Sequence, residues 1–389
     1  MPSKTINAGP APTPTRQSSR LRQRQPQTQT QTSPETNDTT AIPQTTKETL
    51  TTAATAAATT TKDTAAALLN PLLHWDDLPP WRRDNPSILQ GYRPTSQSWR
   101  GSLRSLGYLH NESVNIWTHL LGAVFVSLLV GSLLLVGVVV GERGFGDGFG
   151  FRLGSGLGLG DLGVKVEEAV WGLVEVGKGY VSTASGADVV VLGCFFGGAF
   201  CCLGMSATYH MLCNHSEAVA RVGNKLDYTG IVFLIVGSYV PSLWYGFYCR
   251  AALLTGYIGA IVLLGSGCLV VSWFEHFRTP AWRPYRALMF VGLGMSGVVP
   301  ILHALEFYGF SELDNRMGLS WILLEGCLYT FGAFLYAARF PERKFPGAFD
   351  IWGSSHQIFH VCVLLAAACH FGAMAQAFNF HHHALGSQC

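Results

Sequence analysis

Two histidines, His356 and His360, stand four residues apart in the segment SSHQIFH. In a helix that spacing puts both imidazoles on one face, one turn apart. A third histidine, His210, closes an apolar run that ends SATYH, and an aspartate, Asp227, opens another in KLDYTG. Three imidazole nitrogens with a fourth position open is the arrangement of a catalytic zinc, which polarises a carbonyl and acidifies a water to a pKa of about 7. Asp227 is then expected to hydrogen-bond or deprotonate that water. Ser206, four residues before His210, shares its helix face and is expected to donate a hydrogen bond behind the ligands or to polarise a substrate carbonyl. A lone membrane histidine is ordinarily satisfied within a helix bundle, whereas three histidines and a carboxylate at one depth favour a metal.

Whether these residues share a depth depends on the elements that carry them. The chain has 389 residues, of which 48% are hydrophobic and only 13% charged, against roughly a quarter charged in soluble domains. Seven apolar segments, at about 113–140, 188–213, 226–248, 251–274, 287–306, 317–338 and 355–378, each reach the roughly 20 residues that cross a bilayer. The expected fold class is therefore an all-α membrane protein, a seven-transmembrane helix bundle. The loops after the second, fourth and sixth segments carry Arg221, Lys225, Arg278, Arg283, Arg286, Arg339, Arg343 and Lys344. Those after the third and fifth carry only Arg250 and Arg316. Positive charge inside places the N-terminus in the cytoplasm and the C-terminus on the exofacial side. On this topology His210, Asp227, His356 and His360 all come to the cytoplasmic face, although they lie far apart in the chain.

The remaining segments follow from composition. Residues 1–70 are a Thr, Gln, Ala and Pro tract that cannot bury enough apolar surface to offset its ordering entropy, and a disordered cytoplasmic tail is expected. Residues 71–112 mix Trp75, Trp81, Tyr92 and Trp99 with arginines, the signature of an ordered juxtamembrane segment. The seven-helix domain spans 113–378, with a Gly-rich exofacial loop at 141–187 and an exofacial tail at 379–389. No apolar stretch of a secretory signal opens the sequence, so the first span is expected to direct insertion. Cys194, Cys201, Cys202, Cys268, Cys327, Cys362 and Cys369 fall inside apolar runs and are read as packing residues with free thiols. A net charge of +2 without a basic stripe excludes nucleic acid as a partner.

The stretches GYLHNESVNIWTHLLGA, SATYHMLCNHSEAVARVGNKLDYTGI, GSYVPSLWYGFYC and ARFPERKFPGAFDIWGSSHQIFHVCVL resemble the progestin and adipoQ receptor family, which includes adiponectin receptors, fungal zinc-homeostasis proteins and haemolysin-III-related proteins. The resemblance covers roughly residues 76–378, in order and with matched spacing. It implies zinc as cofactor, held by His210, His356 and His360, with Asp227 on the zinc-bound water and Ser206 beside it. It also implies a plasma-membrane or endoplasmic-reticulum location, a ceramide-like lipid amide or a sterol as small-molecule partner, and an extracellular ligand. The family pattern E-x-x-N-I-W-T-H is present as Glu112, Asn115, Ile116, Trp117, Thr118 and His119, with no chemical role legible in it. His215, His276, His303 and His370 are expected outside the ligand set, and His381, His382 and His383 are expected in the tail as no more than a weak, adventitious site. Two functions remain open: a zinc hydrolase of lipid amides, or a receptor of lipid and zinc homeostasis in which zinc is structural. The open coordination position and Asp227 favour the first; the lack of an assigned acid for the leaving group keeps the second.

Overall fold

The computed structural model describes residues 72–141 and 184–386. The tail at 1–70 and the Gly-rich loop at 141–187, apart from the loop's two ends, lie outside the described residues. A short helix α1 (Trp99–Arg104) precedes the long helices α2 (Ser113–Gly141), α3 (Gly186–Leu212), α4 (Glu217–Gly246), α5 (Ala251–Trp273), α6 (Arg283–Met295), α7 (Val298–Met317), α8 (Leu319–Ala338) and α9 (Ser355–Asn379). Seven segments are long and apolar enough to cross a membrane, with α6 and α7 together making the fifth. Helices are what such runs must form, because a bilayer offers no water to backbone N–H and C=O groups. The protein is a seven-helix membrane bundle.

Among these helices α3 and α4 approach most closely at glycines. A Cβ on Gly230 would stand 2.7 Å from Cys202 Cα, and one on Gly198 2.5 Å from the carbonyl oxygen of Phe233. Small residues serve this purpose where lipid removes any hydrophobic incentive for helices to associate. The contact sets Ser206 and His210 at the end of α3 beside the first half of α4.

Two boundaries differ from the hydropathy reading. The third membrane helix begins at Glu217 rather than near 226, so Asp227 sits in its third turn and not at its start. Ser216 caps it, and Arg221 Nη2 donates to Glu217 Oε1 at 2.8 Å, extending the helix through polar sequence. The fifth is broken at Ser296 and Gly297. Tyr239 of α4 fills the break by donating its hydroxyl to the carbonyl of Gly294 at 2.6 Å, adding to the bond this oxygen accepts from the backbone N–H of Gly297 at 3.3 Å.

The segment from 72 to 112 ties two helix ends together. Arg93, fully buried, donates through Nη2 to the carbonyl of His210 at 2.6 Å and through Nη1 to that of Met211 at 2.9 Å. It thereby caps the carbonyl end of α3 with a positive charge. On the other side, Asn85 donates to Glu342 Oε1 at 3.0 Å, and Glu342 accepts from the backbone N–H of Ser355 at 2.8 Å. Asp350 accepts from the N–H groups of Leu89 and Gln90 at 2.8 and 3.1 Å. Ser355 opens α9. One segment thus holds both the end of α3 that carries His210 and the start of α9 that carries His356.

Candidate metal centre

His210, His356 and His360 come together with one ring nitrogen of each within 4.8 Å of the others. His210 and His360 are almost fully buried, and His356 is half-buried. His356 Nε2 lies 3.2 Å from His210 Nε2. Two nitrogens each about 2.0–2.1 Å from a tetrahedral zinc would stand about 3.3 Å apart, so this separation fits a shared ion.

What lies behind the rings decides which nitrogens face inward. Glu112 Oε2 accepts from His210 Nδ1 at 2.8 Å, and the backbone carbonyl of Asn115 accepts from His360 Nδ1 at 3.1 Å. Each acceptor fixes the proton on Nδ1 and leaves the Nε2 lone pair free, raising its basicity towards a metal. Asn115 Nδ2 donates to Glu112 Oε2 at 2.6 Å and so holds the carboxylate in turn. His119 lies flat on His360, with ring centroids 3.7 Å apart and planes 12° from parallel. The motif E-x-x-N-I-W-T-H therefore acquires the role that sequence reasoning missed: it is the scaffold behind the histidines. A carboxylate, an amide and a histidine at the start of the first span, at the depth predicted for the cluster, were the available signal.

His110 adds a support outside the membrane. Its Nδ1 accepts from the backbone N–H of Glu112 at 3.1 Å. Burial, reinforced by the neighbouring Arg93 charge, pushes its pKa down to about 3 and keeps it a neutral acceptor.

His356 and His360 form one wall of a cavity of about 780 Å³, which Ser206, Asp227 and His119 also line. Asp227 is buried within electrostatic reach of His210, and Ser206 lies beside it. The Ser206 hydroxyl has the Asp227 carboxylate as its polar neighbour. From this end the cavity runs between α4, α6, α7 and α8 along mostly apolar side chains such as Phe290, Ile301 and Ile322. Met295, Val298, Leu323, Phe331 and Phe334 line it and are also exposed on the bundle's outer surface.

The other histidines lie elsewhere. His303 Nδ1 pairs with the Tyr257 hydroxyl at 2.8 Å, His370 Nδ1 with Glu325 at 2.9 Å, and His215 Nδ1 with Ser216 Oγ at 3.1 Å. His276 packs its ring against Phe277 and Trp282. His381 to His383, at the start of the tail, are helical: Phe380–Ala384 continues α9 as a π-helical turn. His382 Nε2 meets Asp188 Oδ2 at 3.0 Å, and His381 is buried with its ring 4.0 Å from that of Tyr248. The carboxylate at the start of α3 draws this turn in, which composition alone could not reveal.

The sequence matches the haemolysin-III-related family over residues 107–371. It is 39% identical over 319 residues to the ADIPOR-like receptor IZH2 of Saccharomyces cerevisiae, covering 82% of this chain and 87% of that one. The adiponectin receptor protein of Drosophila melanogaster is 37% identical over 303 residues, covering 78% of this chain and 59% of the fly protein. Heptahelical transmembrane protein 4 of Arabidopsis thaliana is 33% identical over 342 residues, covering 78% of this chain and 87% of the plant protein. The seven-helix bundle and these matches agree: the chain belongs to the haemolysin-III-related family of membrane proteins, together with the adiponectin and progestin and adipoQ receptors.

Proposed function

We propose that the protein is a regulator of lipid and zinc homeostasis that hydrolyses a lipid amide of the ceramide type at the three-histidine cluster. The observation that carries this reading is the convergence of the three ring nitrogens, with the Nδ1 atoms of His210 and His360 held from behind by oxygen acceptors. His210, His356 and His360 would hold a zinc ion. When bound it would supply Lewis acidity and a water acidic enough to ionise near neutral pH. Asp227, a carboxylate on the same cavity wall, would take the proton from the attacking water and could return it to the amine that leaves. Ser206 would donate its hydroxyl to the amide carbonyl. The apolar cavity would hold the acyl chain, and its outward-facing residues on α6, α7 and α8 supply an entry from the hydrocarbon core.

Asp227→Asn separates catalytic from structural zinc, because it keeps shape but removes the proton acceptor. Purified Asp227→Asn is expected to keep its metal while ceramide hydrolysis falls about a hundredfold. Equal rates for the two proteins would refute the mechanism. Absence of hydrolysis in both would leave the alternative, a receptor in which zinc fixes the packing of the bundle. Orientation is part of the same proposal: the loop charges put the N-terminus and the cluster on the cytoplasmic side. A tag after residue 389 should be accessible from outside the cell or from the organelle lumen, and one at residue 1 should not; tags on the same side would refute it.

A further inference from the structure

A second polar site lies deeper in the same cavity. Glu325 of α8 and His370 of α9 are both buried, and the His370 Nδ1–H donates to Glu325 Oε2 at 2.9 Å. The His370 ring packs on Phe195 at 4.5 Å between centroids. His370 Nε2 has no hydrogen-bond partner, and neither has the hydroxyl of Tyr329, which stands one turn from Glu325 on the same helix face. All three residues line the cavity that begins at His356 and His360. His370 follows His360 by ten residues on α9, which places it about 15 Å further along the helix.

An ionisable pair at this depth is costly, and apolar side chains would fill the same space without that cost. Two unmatched polar atoms on a cavity wall add to the cost unless something in the cavity pairs with them. With Nδ1 donating to the carboxylate, the neutral imidazole presents Nε2 as an acceptor. A phenol can donate or accept. A hydroxyl suits either atom, since it can give a proton to Nε2 and take one from Tyr329. A ketone could serve only the phenol, and a plain methylene neither.

We infer that Glu325, His370 and Tyr329 form a tail subsite, so that the preferred lipid carries a hydroxyl on its acyl chain well away from the carbonyl. The inference rests on the proposed function in one respect, that the acyl carbonyl lies at the histidine cluster. The subsite selects among lipids of one class by matching a buried hydrogen-bonding group, which discriminates far better than added apolar length.

The test is displacement of a fluorescent fatty acid from the purified metal-loaded protein by stearate and by hydroxystearates whose hydroxyl is moved along the chain. The expected result is a maximum for a mid-chain hydroxyl, about tenfold tighter than stearate, the scale of one neutral hydrogen bond. In Glu325→Leu/His370→Leu the maximum should vanish while stearate still binds. Tyr329→Phe should reduce it, and the position scan on the parent protein decides the matter even if the double variant does not fold. Equal binding of all the acids to the parent protein would overturn the inference and leave the pair to hold a water. So would a maximum that survives in the double variant. Loss of all ceramide hydrolysis with the mid-chain maximum intact would instead remove the catalytic reading and leave the tail subsite standing.

Discussion

The two ends of the α3 and α9 pair carry histidines in equal number and use them oppositely. At one end His210 closes α3 and His356 and His360 open α9; at the other, His381, His382 and His383 follow α9 near the start of α3. The consecutive histidines point around their helix, and His382 spends its Nε2 on the Asp188 carboxylate. Two of the spaced ones, His210 and His360, have their outer nitrogens engaged by Glu112 and the Asn115 carbonyl, and one nitrogen of each of the three converges on the others. A cluster able to hold a metal is therefore made by what lies behind the imidazoles and not by how many of them there are.

This contrast is open to attack from both ends. Replacing His356 by Ala removes one of the three proposed ligands, and zinc content measured on purified protein is expected to fall from near stoichiometric to near background. Replacing His381, His382 and His383 together by Ala should leave that zinc in place. Equal metal in the His356→Ala and parent proteins would erase the distinction between the two ends. A finer cut comes from Glu112→Gln, which keeps the side-chain shape and weakens the acceptor behind His210. Zinc affinity, measured by competition with a chelator, should drop about ten- to a hundredfold. An unchanged affinity would mean that the carboxylate does not tune the ligand.

The sequence announced the contents of the cluster better than its supports. Apolar runs located seven spans, and the order of those spans brought His210, His356, His360 and Asp227 to one end of the bundle, because length and order are properties read directly along the chain. The start of α4 was misplaced because Glu217 and Arg221 extend a helix that hydropathy cannot see. Glu112 and Asn115 were visible as a motif, but their chemistry depends on a contact with His210 across 98 positions. Pairing of Glu325 with His370 across 45 positions was illegible for the same reason. Such contacts are set by how helices pack, as at Gly198 and Gly230, and no periodicity within one helix encodes them.

The most direct test of the zinc assignment is X-ray absorption at the zinc edge of purified protein, compared with His210→Ala. The parent protein should show three imidazole nitrogens at about 2.0–2.1 Å and one further oxygen donor, and the variant should lose zinc or show one imidazole fewer. A zinc shell without imidazole, or a shell of three imidazoles that persists in His210→Ala, would contradict the assignment.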